Sequence, residues 1–185
     1  MGFPSFSVGD VLAAADMNAV GLWLVKTQTI GNNVSTQAVT GAFSAAYDNY
    51  LITVSGGSSA AGASMGLQLG ASTTGYYAAL VGSEYDSDTL VYLRDDNEAQ
   101  WRWAGGAYPN GLHMMVTLFR PNAAVRTGIV IHGRIDYRTP ATAGAASATQ
   151  GTGFHDSATA FTDFTIDCTG TTMTGGTIRV YGYRN

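Results

Sequence analysis

The chain has 185 residues, enough for one domain with a substantial core and too few for two large ones. Hydrophobic residues make up 45% of it and charged residues only 12%, with 24 glycines, which is the profile of an all-β assembly protein. The formal charge is −4, the nine basic residues are scattered singly, and no apolar run approaches the roughly 20 residues of a bilayer span, which excludes nucleic-acid binding and a membrane helix.

The opening Met1-Gly2-Phe3-Pro4 has no basic region and places a proline before any apolar stretch, so it does not read as a secretory signal and predicts assembly in the cytoplasm. Gly9 to Val20 is the one stretch with helical composition and spacing, Leu12, Ala15 and Ala19 falling on neighbouring turns and Gly21 standing as a stop. A helix of two to three turns is marginal alone in water, so residues 1–25 read as an arm that needs a surface to pack on.

From Leu22 onward the signal is strand after strand, and 26–185 reads as the domain proper. Segments 22–30 and 34–40 come first, then 50–55, which sets Tyr50, Ile52 and Val54 against Leu51, Thr53 and Ser55. Segments 65–69, 75–81, 90–94 and 100–104 follow. In 112–119 Leu112, Met114, Val116 and Leu118 alternate with His113, Met115, Thr117 and Phe119. The clearest alternation is 129–137, with Ile129, Ile131, Ile135 and Tyr137 on one face and Gly133 in their row as a bulge or close approach. Thr139 to Gly153 has no periodicity and reads as an extended loop, an edge strand or a segment ordered by a neighbour. Phe164, Ile166 and Cys168 share a face, as do Ile178 and Val180. About ten short strands separated by turn signals predict an all-β, antiparallel β-sandwich of jelly-roll type with a short N-terminal helical anchor.

The chemistry of known sites is sparse. His113, His132 and His155 sit in different segments with no second imidazole at metal-ligand spacing, and the single cysteine, Cys168, fits no zinc set and reads as a small buried hydrophobe. No Gly-x-Ser-x-Gly elbow is present, and His155-Asp156 reads as a solvated loop pair. Glu84, Asp86, Asp88, Asp95, Asp96 and Glu98 flank segment 90–94 and read as a solvated hairpin end rather than a cation site. The expectation is no catalytic residue, no metal and no cofactor.

Aromatics are the richer inventory. Trp101 and Trp103 stand on one face of a strand with Arg102 opposite, and Tyr76, Tyr181 and Tyr183 lie near turns. These five are the candidates for subunit contacts or for a ligand platform, while most other aromatics must be core.

Phe6-Ser7-Val8-Gly9-Asp10-Val11-Leu12-Ala13-Ala14-Ala15-Asp16-Met17-Asn18 resembles the opening of many bacteriophage tail-fibre and minor structural proteins, with Ala13 where a capping Thr is common. Gly175-Gly176-Thr177-Ile178 through Tyr181-Gly182-Tyr183 resembles the closing strand of phage virion jelly rolls, and Tyr47-Asp48-Asn49-Tyr50-Leu51-Ile52 an early strand of the same modules. The resemblance implies a virion protein of a tail fibre, minor tail or head-decoration type. Its arm, with Phe6, Val11, Leu12, Met17 and Asn18 as docking candidates, would sit on other virion proteins while the jelly roll projects as a homotrimer. The alternative reading is a glycan-binding module that recognises a host surface sugar. A glycan-degrading enzyme ranks last, because it needs two carboxylates about 5 to 9.5 Å apart in a groove and the acidic cluster falls in turn-like sequence.

Overall fold

The computed structural model describes residues 21–84, 88–135 and 147–183. The helix expected over Gly9–Val20 and the docking candidates Phe6, Val11, Leu12, Met17 and Asn18 lie outside the described residues, as does Asp86. Among the described residues there are fourteen strands and no helix, and every pairing is antiparallel.

In chain order the strands are β1 (Leu22–Thr29), β2 (Thr36–Val39), β3 (Asn49–Gly56), β4 (Ser58–Ser59), β5 (Ala63–Leu69), β6 (Tyr76–Glu84) and β7 (Leu90–Glu98). They continue with β8 (Trp101–Tyr108), β9 (Gly111–Phe119), β10 (Thr127–Ile135), β11 (Ser147–His155), β12 (Phe164–Cys168), β13 (Met173–Thr174) and β14 (Thr177–Tyr183). The larger layer runs β1-β14-β3-β9-β10-β11-β6-β7 and the smaller β2-β12-β5-β8. The two join at one corner, where the first half of β9 pairs with β8 and the second half with β10. The chain is therefore a β-sandwich. Leu22 to Val25, read with the arm from sequence, belong to β1.

Alternation places the core as expected for period two. Tyr50, Ile52 and Val54 of β3, Met114, Val116 and Leu118 of β9, and Ile129 and Ile131 of β10 are all buried, and Met65, Leu67, Leu69, Phe164, Ile166 and Cys168 answer them from the smaller layer. Aromatic contacts tie the layers. Phe43 packs edge-on against Tyr50 at 4.9 Å and stacks on Phe164 at 5.6 Å. Across the sandwich, the Tyr76 hydroxyl accepts the Leu69 backbone N–H at 2.7 Å. Burial pushes the Tyr76 phenol up to about 12, so it stays neutral.

Two sequence readings need correction here. The tract up to Gly153, read as an extended loop, an edge strand or a segment ordered by a neighbour, holds most of β11, an interior strand with β10 on one side and β6 on the other. It shows no apolar alternation because its core-facing positions include Gly151 and Gly153. A Cβ on either would come within 2.1 Å of a β6 carbonyl oxygen, so the strands approach too closely for any side chain. The second concerns Trp101 and Trp103. Leu67 pairs with Trp101 and Met65 with Gly105, so extra β8 residues bulge between these pairs. The bulge breaks the alternation: Trp101 and Ala104 are fully buried, while Trp103 is half-buried beside Arg102. The bulge expected near Gly133 falls between Ile131 and Arg134 of β10.

Candidate functional site

The register of the larger layer decides which residues face out together. One row runs from Leu22 through Tyr183, Asn49, Phe119, Gly128 and Phe154 to Tyr77. The next runs from Leu24 through Tyr181, Leu51, Thr117, Val130, Thr152 and Ala79 to Arg94. Below these, Arg179, Thr53 and Met115 lie in register, as do Gln150, Val81 and Tyr92, and Leu90 pairs with Ser83. All nine large hydrophobic residues exposed among the described residues, from Tyr183 at 37% to Tyr92 at 72%, project from this one face. None comes from the smaller layer.

The face is organised rather than random. Phe119 lies against Gly128, where a Cβ would meet its ring at 3.4 Å, so a glycine leaves the space between Phe119 and Phe154 open. Phe154 stacks on Tyr77 with centroids 5.0 Å apart, and the Arg126 guanidinium stands 5.4 Å from the Phe154 centroid. Charge is sparse and mostly paired: Arg94 with Asp96 at 3.4 Å, and Arg126 with Asp156 at 2.7 Å. Aromatics, Met and Arg with little Lys, Asp or Glu is the composition of subunit interfaces. Eight strands at about 4.8 Å spacing and about 25 Å long present on the order of 800 Å², one side of a standard interface.

The five aromatic candidates separate. Tyr181 and Tyr183 are on this face, half-buried and 37% exposed. Tyr76 and Trp101 are fully buried, packed edge-on at 5.0 Å in the core, and are corrected from surface candidates to core residues. Trp103 is outside the face, on β8. Sequence reasoning missed Val81, Leu90, Tyr92, Phe119 and Phe154. The available signal was Met115 and Phe119 in the row taken as polar, because a strand apolar on both rows is covered on both faces.

Titratable groups are arranged for structure. His155 is not in a solvated loop: it is buried at the end of β11 between Tyr76 and Phe161. Its Nε2 lies 2.8 Å from the Ser72 hydroxyl and 3.1 Å from the Thr74 carbonyl, and Nδ1 is buried without a partner. Burial outweighs the Thr74 bond and the nearby Asp156 charge and holds the imidazole below its usual 6.5. The unfolded chain then takes up a proton that the native protein refuses. Stability is accordingly expected to be full above pH 6.5 and to fall as the pH drops below it, read as a lower urea midpoint at about pH 5.5 than at about pH 8, with the step flattened in His155→Gln.

In the acidic cluster Asp88 and Asp96 are exposed, but β7 runs through to Glu98 and Asp95 is buried in that strand rather than solvated in a turn. Its Oδ1 accepts the Arg102 Nε–H at 2.8 Å and its Oδ2 the Arg102 backbone N–H at 3.1 Å. Cys168 is buried on the inner face, and burial together with the Asp167 charge pushes its thiol up to about 11, unreactive at neutral pH. Among the described residues no group of three or more His, Cys, Asp or Glu is placed to hold a metal ion. No helix among them is long and apolar enough to cross a membrane. No family model, curated protein or solved structure matches the chain.

Proposed function

We propose that this chain is a structural protein of a tailed-phage particle, a jelly roll that assembles through the outer face of its larger sheet. The observation that carries the assembly reading is the confinement of every large exposed hydrophobic among the described residues to that one face, as at protein–protein contact sites. The partner is a second and third copy. Three such faces turned to a common axis would cover one another, each meeting its two neighbours through different strips.

The jelly-roll reading is supported by connectivity. The orders β1-β14-β3-β9 and β2-β12-β5-β8 have the chain passing between layers as in two nested Greek keys, with hairpins β6–β7 and β10–β11 added to widen one layer. The phage assignment is supported by the resemblance of the two ends to virion proteins, and the arm up to residue 25, with Phe6, Val11, Leu12, Met17 and Asn18, is the proposed particle contact.

Light scattering on the full chain at micromolar concentration is expected to give about three times 19.3 kDa. Phe154→Asp puts a charge in the middle of the stacked aromatics and is expected to reduce this to one chain, while Ala38→Asp, exposed on the other layer, leaves it unchanged. A monomeric wild-type chain would sink the assembly reading. Purified particles of the phage that encodes the chain are expected to contain it in stoichiometric amount, and its absence from them would sink the virion assignment.

A further inference from the structure

At the edge where β7 of the larger layer passes into β8 of the smaller, the two-residue connection between them builds a second site. A pocket of about 410 Å³ opens there, within the range of small-ligand sites. Its aromatic element is Trp103, half-buried at the β8 bulge and packed on the edge of the core, and Gly62 and Ala63 at the start of β5 are among its walls.

The polar walls are fixed before any ligand arrives. Arg102 is held by Asp95 at 2.8 Å, by Glu98 at 3.0 Å and by the Arg94 carbonyl at 2.8 Å, with its guanidinium carbon 5.6 Å from the Trp103 ring centre. Gln100 lies flat over Gly66, where a Cβ would come 2.5 Å from its amide. Its Nε2 donates to Asp167 Oδ1 at 2.9 Å, an oxygen that also accepts the Thr169 hydroxyl at 2.6 Å. An indole beside planar carboxylate, amide and guanidinium groups is matched by a ligand with an apolar C–H face and neighbouring hydroxyls at its edge. Asp95 and Glu98 more than offset the one cation, Arg102, so the pocket disfavours phosphate, sulfate or other anions.

We infer that this pocket is a carbohydrate subsite that takes a neutral hexopyranose, with Trp103 as the stacking surface and Gln100, Glu98 and Arg102 as the hydroxyl partners. Its walls come from the end of β7, the β7–β8 connection, β8 and the start of β5, with Thr169 beside them.

The chain has three tryptophans, so three indole N–H signals report directly in a 15N-labelled sample of the full chain, and Trp103→Phe assigns the one that matters. Glucose, galactose, N-acetylglucosamine and rhamnose are titrated in turn, with glucose 6-phosphate as the charged comparison. At least one neutral sugar is expected to move the Trp103 signal saturably in the millimolar range while Trp101 and Trp23 stay in place. Gln100→Ala and Glu98→Gln, each compared with wild type at a temperature where circular dichroism shows it folded, are expected to weaken binding about ten-fold, a difference of about 1.4 kcal/mol. No response of Trp103 to any of the sugars overturns the inference. So does a response unchanged in both variants, or stronger binding of the phosphorylated sugar than of the neutral ones.

Discussion

Trp101→Ala is expected to lower the free energy of unfolding by about 3–5 kcal/mol, a large fraction of the roughly 5–15 kcal/mol by which a domain of ordinary stability is folded. The indole is fully buried between the layers. It stands edge-on to Tyr76 at 5.0 Å and to His155 at 6.5 Å, and its Nε1–H donates to the Tyr77 carbonyl at 3.2 Å. Truncation removes the largest side chain of the core, the edge-to-face contacts and one interlayer hydrogen bond together, and close-packed neighbours relax only in part into the space. Trp101→Phe keeps most of the volume and should cost only about 1–2 kcal/mol. Urea midpoints followed by circular dichroism separate the two. A loss within about 1 kcal/mol for Trp101→Ala would mean that this contact does not hold the layers together.

Arg102→Ala should be the most damaging change near the surface, costing about 2–4 kcal/mol at neutral pH, somewhat below a fully buried pair because 41% of the arginine side chain is exposed. Asp95 has a fully buried side chain, and burial pulls its pKa above 3.8 even with Arg102 opposing the shift. The native state therefore binds this proton more tightly than the unfolded chain. For this group stability is greatest below pH 3.8 and is lost as the pH rises through the raised value. Without the guanidinium the carboxylate is stranded, its pKa rises further, and the penalty of the variant should shrink as the buffer is acidified from about pH 7 to about pH 4.5. Asp95→Asn added to Arg102→Ala should recover part of the loss at neutral pH by removing the stranded charge. A penalty independent of pH and unrelieved by the second change would place the effect in lost packing of the arginine stem instead.

Most strands were legible because period two is a local signal. Tyr50, Ile52 and Val54, or Leu112 to Leu118, announce a buried row without reference to any partner. β11 was not legible, since Gly151 and Gly153 are demanded by the close approach of β6, a neighbour about seventy residues away in the chain, and a glycine carries no hydrophobic mark. The acidic stretch after Leu93 misled for a related reason: Asp95 is acceptable inside a sandwich only because Arg102 folds back on it, and that pairing depends on how β7 turns into β8.

The same division runs through the sites. That this is a β-rich, weakly charged domain was determined by composition and alternation, which are properties of neighbouring residues. Which tryptophan is core and which is surface turned on a bulge in β8, and the clustering of Phe119, Phe154, Tyr77 and Tyr92 on one face turned on the register of strands distant in sequence. Register and bulges are set by long-range hydrogen-bond pairing and close packing, and these exist only once the two layers have met.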